Sequence, residues 1–340
     1  MQVDAMSRGN GLAEIAADAR EREAAGFNGL WSVETAHDPF LALLPVAEHT
    51  ESIAMGTAIA VAFARNPMST AYVANDLQLY SKGRFLLGLG SQVKPHIERR
   101  FNMPWSHPAP RMREYVQALR AIWDAWNTGE RLNFRGDFYS HTLMTPFFDP
   151  GPNPYGPPKV YIAAVGDHMT RTAGEVCDGI QPHAFTTDRY LRERTIPLLK
   201  EGLATSGRTL EDFSIAFSAF VVTGDTEEQM AAAAAGVRQQ IAFYGSTPSY
   251  RGVLELHGWE EAGVELNKLS RGTDDDRWVK MADLIDDEML ATFAVVAEPD
   301  RLGSALLTRF GDFVDRFQFY APYAHADELF APAIEVLRAA

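Results

Sequence analysis

The chain repeats one pattern along most of its length: a short apolar segment, a polar turn, and then an amphipathic helix. A short apolar run of this kind is typical of a buried parallel strand, which the following helix covers. Eight such units predict an α/β fold, a (β/α)8 TIM barrel. A doubly wound open sheet is the alternative, but it would have fewer units or a clearer glycine-rich first turn. The predicted strands cover residues 1–6, 27–33, 53–63, 85–87, 160–164, 179–183, 213–222 and 317–320.

The length of 340 residues suits one large barrel, because barrels commonly exceed ~250 residues as a single domain. We therefore predict one domain over residues 1–340, with irregular insertions in the βα loops at about 128–159 and 247–286. The first insertion is rich in glycine, proline and aromatic residues, and its segment 134–139 predicts a small hairpin. A long loop in a compact domain favours a functional lid over a linker. The acidic clusters of the second insertion are interpreted as solvated faces.

Charge and cysteine content exclude several classes of function. The net charge of −14 argues against a nucleic-acid partner, which would favour a basic face. Cys177 is the single cysteine, so the chain can form no internal disulfide, and the histidines lack metal-ligand spacing. No metal is therefore expected. With no apolar run long enough to span a membrane and no leader pattern, we predict a cytoplasmic protein without a membrane partner.

The stretch from Lys82 to Gln92 contains a strand that ends in Gly88-Leu89-Gly90. Glycines at a strand end allow a ligand or another backbone to approach closely. A dinucleotide fingerprint would need a third glycine opening the next helix, but residues 93–95 are Val-Lys-Pro, so that fingerprint is excluded. A tight turn and a cofactor site both remain open interpretations.

Four segments carry a resemblance to a known family. They are residues 63–67 (FARNP), 83–91, the pair 136–139 and 157–164, and 173–179. In their order and spacing the chain resembles the bacterial luciferase-like monooxygenase superfamily, and within it the branch that uses coenzyme F420. The resemblance implies a barrel that carries a flavin-like ring at the C-terminal ends of its strands.

The implied function is an F420-dependent oxidoreductase that moves a hydride between the deazaflavin and a small organic substrate. The alternatives are an FMN-dependent luciferase-like monooxygenase and a non-catalytic barrel that binds flavin or deazaflavin. The resemblance also implies a non-prolyl cis peptide bond near Ala58-Ile59 and a phosphate site at the helix start around Gly166. The alternative for the helix start is that Asp167 only caps it. The implied cofactor-binding residues are Ala58, Ile59, Gly88, Gly90, Ser91, Gln92, Ala164, Val165, Gly166, Asp167, His168 and Met169.

Two side chains after the second strand are the candidate catalytic residues. His37 could supply a proton, because its ordinary pKa lies near working pH; alternatively it only bonds the Asp38-Pro39 turn. A carboxylate at Glu34 needs a partner at the end of an apolar strand, and Arg65 would make it structural. Some relatives have an acid just after the strand-four glycines, where this chain has Gln92.

Two further sets of residues have open roles. The basic cluster Lys94, His96, Arg99 and Arg100 either steers the anionic tail of F420 or is a solvated face. Five aromatic residues could wall a substrate pocket, although we expect about two of them to do so. We also predict a homodimer, formed through apolar residues on the helices between strands two and four. The five aromatic residues are Trp31, Phe40, Phe63, Trp105 and Phe147.

Overall fold

The computed structural model describes residues 1–8 and 11–340. Strands and helices alternate along the chain, and we number each class in chain order. The strands are β1 (Gln2–Met6), β2 (Gly29–Ser32), β3 (Ala54–Thr57), β4 (Ala60–Val61), β5 (Phe85–Gly90), β6 (Phe134–Arg135), β7 (Ser140–His141), β8 (Lys159–Ala164), β9 (Gly179–Pro182), β10 (Ser214–Val222), β11 (Ala294–Val296) and β12 (Arg316–Tyr320). The helices are α1 (Leu12–Ala24), α2 (Leu43–His49), α3 (Pro67–Tyr80), α4 (Pro108–Thr128), α5 (Asp167–Val176), α6 (Asp188–Tyr190), α7 (Ile196–Ala204), α8 (Glu227–Gly245), α9 (Arg251–Leu256), α10 (Glu260–Ser270), α11 (Arg277–Asp283), α12 (Asp287–Phe293), α13 (Pro299–Phe310) and α14 (Ala331–Ala339).

The fold is a (β/α)8 TIM barrel, as the alternation predicted. Its eight principal strands are β1, β2, β3, β5, β8, β9, β10 and β12. The described chain divides into two compact units. The N-terminal unit comprises Asp4–Gln181 and Leu198–Ser214, and the C-terminal unit comprises Met1–Val3, Pro182–Pro197 and Ile215–Ala340. The single domain over residues 1–340 stays a prediction.

The N-terminal unit contains a run of parallel strands in the order β1-β2-β3-β5-β8, with β4 also paired to β5. These strands are buried almost throughout, which explains why their sequences are continuously apolar rather than alternating. Local signals set the helix ends: Asn66 caps α3 by accepting from Ser69 N–H at 2.9 Å. Pro67 opens the same helix, where its missing N–H costs nothing.

The first insertion contains the predicted hairpin, formed by the antiparallel pair β6 and β7. The buried carboxylate of Glu114 on α4 accepts from the backbone N–H groups of Asp137, at 2.8 Å, and Phe138, at 2.7 Å. It also accepts from Tyr139 N–H. A Cβ at Gly136 would collide with this carboxylate. The loop is therefore anchored to α4 by one buried acid, and only glycine fits at residue 136.

The C-terminal unit is built around β10, which pairs in parallel with β12 and, further along, with β11. Its core combines the end of β10 with apolar residues of α8 to α12. Phe220 and Phe293 are fully buried members of this core. Among the described residues, no helix is long and apolar enough to cross a membrane.

Two predictions of secondary structure are wrong in detail. Residues 53–63 do not form one strand: the chain is interrupted after β3, and Phe63 lies in a 3-10 turn over Ala62–Ala64. The insertion 247–286 is helical rather than irregular, because it contains α9, α10 and α11. These short helices bury one or two apolar side chains each: Val253 and Leu254 in α9, Leu266 in α10 and Met281 in α11. The glycines and acidic residues between and beside those positions concealed the helical periodicity.

Candidate functional site

A cis peptide bond joins Ala58 and Ile59 between β3 and β4, both of which pair in parallel with β5. A bond of this kind was implied for this position, so that prediction is confirmed. The fully buried hydroxyl of Thr57 donates to the carbonyl oxygen of Gly88 at 2.6 Å and accepts from its N–H at 3.0 Å. The end of β3 is thus fixed to β5 by a reciprocal side-chain contact. The sequence analysis missed Thr57, because a threonine within an apolar strand carries no distinctive signal.

The two glycines of β5 allow close approach of the neighbouring strand segment. A Cβ at Gly88 would collide with the carbonyl oxygen of Thr57. A Cβ at Gly90 would lie 2.6 Å from Cδ1 of Ile59. The sequence left a tight turn and a cofactor site open, and the structure shows that residues 57 and 59 closely approach the two glycines. The cofactor-binding roles of both glycines stay predictions.

The segment after β5 turns sharply at Gln92, whose φ of 59° lies in the left-handed region. Its Oε1 accepts from Val93 N–H at 3.0 Å, and the hydroxyl of Ser91 donates to the Gln92 carbonyl at 3.2 Å. Both side chains are half-buried. The carboxamide oxygen stabilises the turn, which leaves the amide N–H groups of Gln92 as the part available to a ligand.

The helix α5 follows the C-terminal end of β8 after Ala164 and Val165. Its N-cap is Gly166, which has no side chain to accept a capping hydrogen bond. Asp167 is the first helical residue rather than the N-cap. A Cβ at Gly166 would meet no atom within 4 Å. The first-turn N–H groups, with the positive end of the helix dipole, are therefore suited to an anion; His168 and Met169 belong to the same turn.

Glu34 follows β2 and accepts hydrogen bonds from two donors, Val61 and Arg65, in the segment that leads into α3. One oxygen, Oε2, accepts from Val61 N–H at 2.7 Å and from Arg65 at 2.6 Å. The Glu34 side chain is 6% exposed. Arg65 also donates to Asp38 at 2.9 Å. Burial alone would lower the pKa of Arg65, but the hydrogen bond and charge of Glu34, reinforced by Asp38, raise it. These contacts are those of a positioning carboxylate; the catalytic role of Glu34 stays a prediction.

His37 lies in the exposed turn after β2. In the described part of the chain it makes no hydrogen bond, so the alternative in which it bonds the Asp38-Pro39 turn is not observed. Asp38 is instead occupied by the N–H groups of Phe40 and Leu41 and by Arg65. The imidazole of His37 is therefore accessible to a ligand, and its role as proton donor stays a prediction.

The basic cluster after β5 is exposed. Its cations differ in whether they form ion pairs or hydrogen bonds within the chain. Lys94 pairs with Glu98 at 3.7 Å, and Arg100 donates to the carbonyl of Thr35 at 2.6 Å. Arg99 has no ion-pair or hydrogen-bond partner among the residues that the structure describes. Arg99 is therefore the cation of this cluster most available to an anionic ligand.

Most of the candidate aromatic residues belong to the core. Trp31, Phe40 and Phe63 are buried; the indole N–H of Trp31 donates to Asp4 at 2.8 Å. Trp105 is half-buried and packs edge-on against Phe63 with ring centroids 5.7 Å apart. Phe147, in the first insertion, is 90% exposed. Only Trp105 and Phe147 thus remain accessible enough for a substrate pocket. No group of metal-ligating side chains occurs in residues 1–8 and 11–340.

Comparison with known proteins extends these observations. The sequence model of the luciferase-like monooxygenase family matches residues 1–316. An uncharacterised protein of Mycobacterium tuberculosis is 54% identical, with 90% of this chain and 89% of that protein covered. A putative coenzyme F420-dependent oxidoreductase of the same organism is 28% identical, with 85% and 84% covered. The solved structure of the coenzyme F420-dependent tetrahydromethanopterin reductase of Methanopyrus kandleri aligns with a TM-score of 0.77 at 18% identity, covering 99% of this chain and 96% of that one.

Proposed function

Because this chain belongs to the luciferase-like monooxygenase family, we propose that it is an F420-dependent oxidoreductase acting on a small organic substrate. The first turn of α5, whose N-cap is a glycine, carries this proposal, since it offers an anion site at the C-terminal end of a barrel strand, the end where barrel enzymes have their active sites. The similarity to the putative F420-dependent oxidoreductase supports the choice of cofactor.

The residues present fit such a cofactor. The open space at Gly166 allows a phosphate to approach the N–H groups of residues 166–169. The ends of β3 and β5, with Ala58, Ile59 and Ser91, would contact the ring. Bound F420 supplies the hydride chemistry, whereas the protein supplies binding and orientation.

The protein's own side chains have distinct roles in this proposal. His37 is the proton donor, because it is accessible and has no competing partner among the residues that the structure describes. Glu34 positions the chain: it binds Val61 N–H and Arg65, and so fixes the segment that follows Ile59. Gln92 can donate a hydrogen bond but cannot supply a proton. The second candidate, an FMN-dependent monooxygenase, uses the same phosphate site.

Equilibrium binding of F420 and of FMN tests the proposal. F420 carries carboxylates beyond its phosphate that FMN lacks, so we expect F420 to bind more tightly and the difference to shrink as salt rises. Each exposed cation should contribute only ~0.2–1 kcal/mol, so the ring pocket must provide most of the affinity. Tighter binding of FMN at both low and high salt would assign the chain to the monooxygenase branch.

Arg99→Ala tests whether the anionic tail of F420 is attracted by this cation, against the repulsion that the tail meets from a chain of net charge −14. We expect it to weaken F420 binding at low salt and to leave FMN binding unchanged. Arg20→Ala is the matched control, since it removes the same charge from the exposed face of α1. Equal effects of the two variants would mean that only the overall charge matters.

A further inference from the structure

Four half-buried aromatic side chains form a cluster in the C-terminal unit, and nothing in the site described above uses them. His183 directly follows β9, and Tyr320 is the last residue of β12. Both therefore lie at the C-terminal ends of barrel strands, where barrel enzymes bind their substrates. Tyr244 near the end of α8 and Tyr250 just before α9 complete the cluster.

The rings are packed in fixed orientations. His183 stacks on Tyr250 with centroids 4.5 Å apart and meets Tyr244 edge-on at 4.6 Å. Tyr320 joins through a hydrogen bond between its hydroxyl and that of Tyr244, 2.8 Å apart. Packing of this kind limits the rotation of each polar tip, so that the hydrogen-bonding groups are pre-organised.

The tautomer of His183 follows from one backbone contact. Nδ1 accepts a hydrogen bond from Phe185 N–H at 3.0 Å, so in the neutral ring the proton must be on Nε2. Nε2 has no hydrogen-bond partner in the described chain, yet it is not among the buried polar atoms left without one. It is therefore a donor that is not fully buried.

The tyrosine hydroxyl groups are further hydrogen-bond donors beside Nε2–H of His183. In the Tyr244–Tyr320 pair one hydroxyl must donate to the other, which leaves one O–H free to donate elsewhere. The hydroxyl of Tyr250 has no partner among the described residues and is likewise absent from the buried unpaired atoms. The cluster thus offers several neutral donors beside flat apolar ring faces.

Burial sets the protonation state of the ionisable rings in this cluster. Burial alone lowers the pKa of His183 to about 4, and burial with Tyr244 as the other cause raises the pKa of Tyr250 to about 12. Burial also raises the pKa of Tyr320, so His183, Tyr250 and Tyr320 are neutral at pH 7. Such a site offers no charge to a carboxylate or phosphate, but suits a neutral oxygen acceptor next to an apolar body.

We propose that His183, Tyr244, Tyr250 and Tyr320 form a subsite for the oxygen of a neutral carbonyl compound or the corresponding alcohol, with Nε2–H of His183 as the principal donor. This inference rests on the proposed oxidoreductase function, for which an alcohol and its carbonyl compound are a matched pair of substrates. His183 is a specificity-determining residue in this proposal and not the source of a proton.

The test is a titration of the full-length protein, labelled with ¹⁵N at its histidines, with cyclohexanone and with cyclohexanecarboxylate. In the free protein we expect His183 to show a protonated Nε2 and an unprotonated Nδ1. Cyclohexanone should move the Nε2 resonance saturably, and the carboxylate should bind at least about tenfold more weakly. A titration to about 100 mM covers the affinity expected of so small a ligand.

Variants distinguish recognition from packing. His183→Phe keeps the ring and removes the donor, so it should weaken cyclohexanone binding at least about tenfold, whereas His183→Gln keeps an N–H donor and should retain part of the affinity. His257→Phe is the matched control, because His257 is another stacked, half-buried histidine of the same unit. Binding to the Phe and Gln variants is followed by calorimetry, and circular dichroism verifies that each is folded.

Three results would overturn the proposal: no saturable shift, equal binding of ketone and carboxylate, or unchanged binding to His183→Phe. None of these measurements requires F420. If F420 fails to bind while cyclohexanone moves His183, the proposed function is wrong and the subsite stands. If F420 binds and cyclohexanone does not, the subsite is wrong and the proposed function stands.

Discussion

The side chain of Ile59 occupies the space that any side chain at residue 90 would need. Gly90→Val should displace Ile59, whose Cδ1 lies 2.6 Å from the position of the added Cβ. We expect binding of both F420 and FMN to weaken at least tenfold, about 1.4 kcal/mol, while the fold is kept because a side chain can move. Calorimetric titration measures this. Gly11→Ala is the control, since its Cβ would meet no atom within 4 Å. Unchanged cofactor binding by Gly90→Val would make the end of β5 purely structural.

His183 makes stability depend on pH in a defined direction. Its folded pKa is about 4 because of burial, whereas an unfolded histidine has a pKa near ~6.5. The unfolded chain therefore binds the extra proton first, so this contribution is complete above about pH 6.5 and is lost as the pH falls towards 4. Urea unfolding at pH 7 and pH 5 should show a smaller pH-induced loss for His183→Phe than for wild type. An equal loss of stability in His183→Phe and in wild type would contradict this prediction. His96→Gln, at an exposed position of the short π-helix His96–Arg100, is the control.

At the scale of the element, Glu34 connects the end of β2 with the turn that leads into α3. Glu34→Gln keeps the size of the side chain but leaves fewer acceptor sites for Val61 N–H and Arg65. We expect a loss of about 1–3 kcal/mol of stability, together with weaker cofactor binding, because the segment after Ile59 loses an anchor. Chemical unfolding measures the first effect and F420 titration the second. Glu51→Gln at an exposed position should change neither. A variant of full stability that loses only turnover would show that Glu34 is catalytic after all.

The elements that could be predicted from sequence are those whose signal is local. Largely apolar runs at 160–164 and 213–222 predicted buried strands, and Asn66-Pro67 predicted the start of a helix; β8, β10 and α3 confirm them. The short helices α9 to α11 were not predicted, because each buries too few apolar residues to show a helical period in the sequence. In the site, the Glu34–Arg65 pair was foreseeable because a buried carboxylate needs a partner. The position of Ile59 beside Gly90 was not, since it depends on side-chain direction across two strands.

At the scale of the whole molecule, an apolar groove on the N-terminal unit bears on the predicted homodimer. It has a volume of about 420 Å³ and lies on the α2 and α3 side of the unit, where exposed apolar residues were expected. Leu41, Leu44, Leu79 and Tyr80 on its walls are each 43–52% exposed. Asp76 is the one charged residue among those that line it. Two copies that each carry a charge of −14 repel one another, so an almost uncharged face is where they can meet.

We therefore predict that a second copy of this chain covers the groove through a two-fold contact, in which the same patch of each chain serves as both ridge and groove. Light scattering at micromolar concentration should give about twice the chain mass of 37.6 kDa. The double variant Leu44→Glu, Leu79→Glu should be monomeric, because it places charges in the apolar contact. Leu12→Glu is the matched control: Leu12 is 51% exposed on α1, so this variant should remain dimeric. A monomeric wild type, or a double variant that stays dimeric, would exclude this face as the interface.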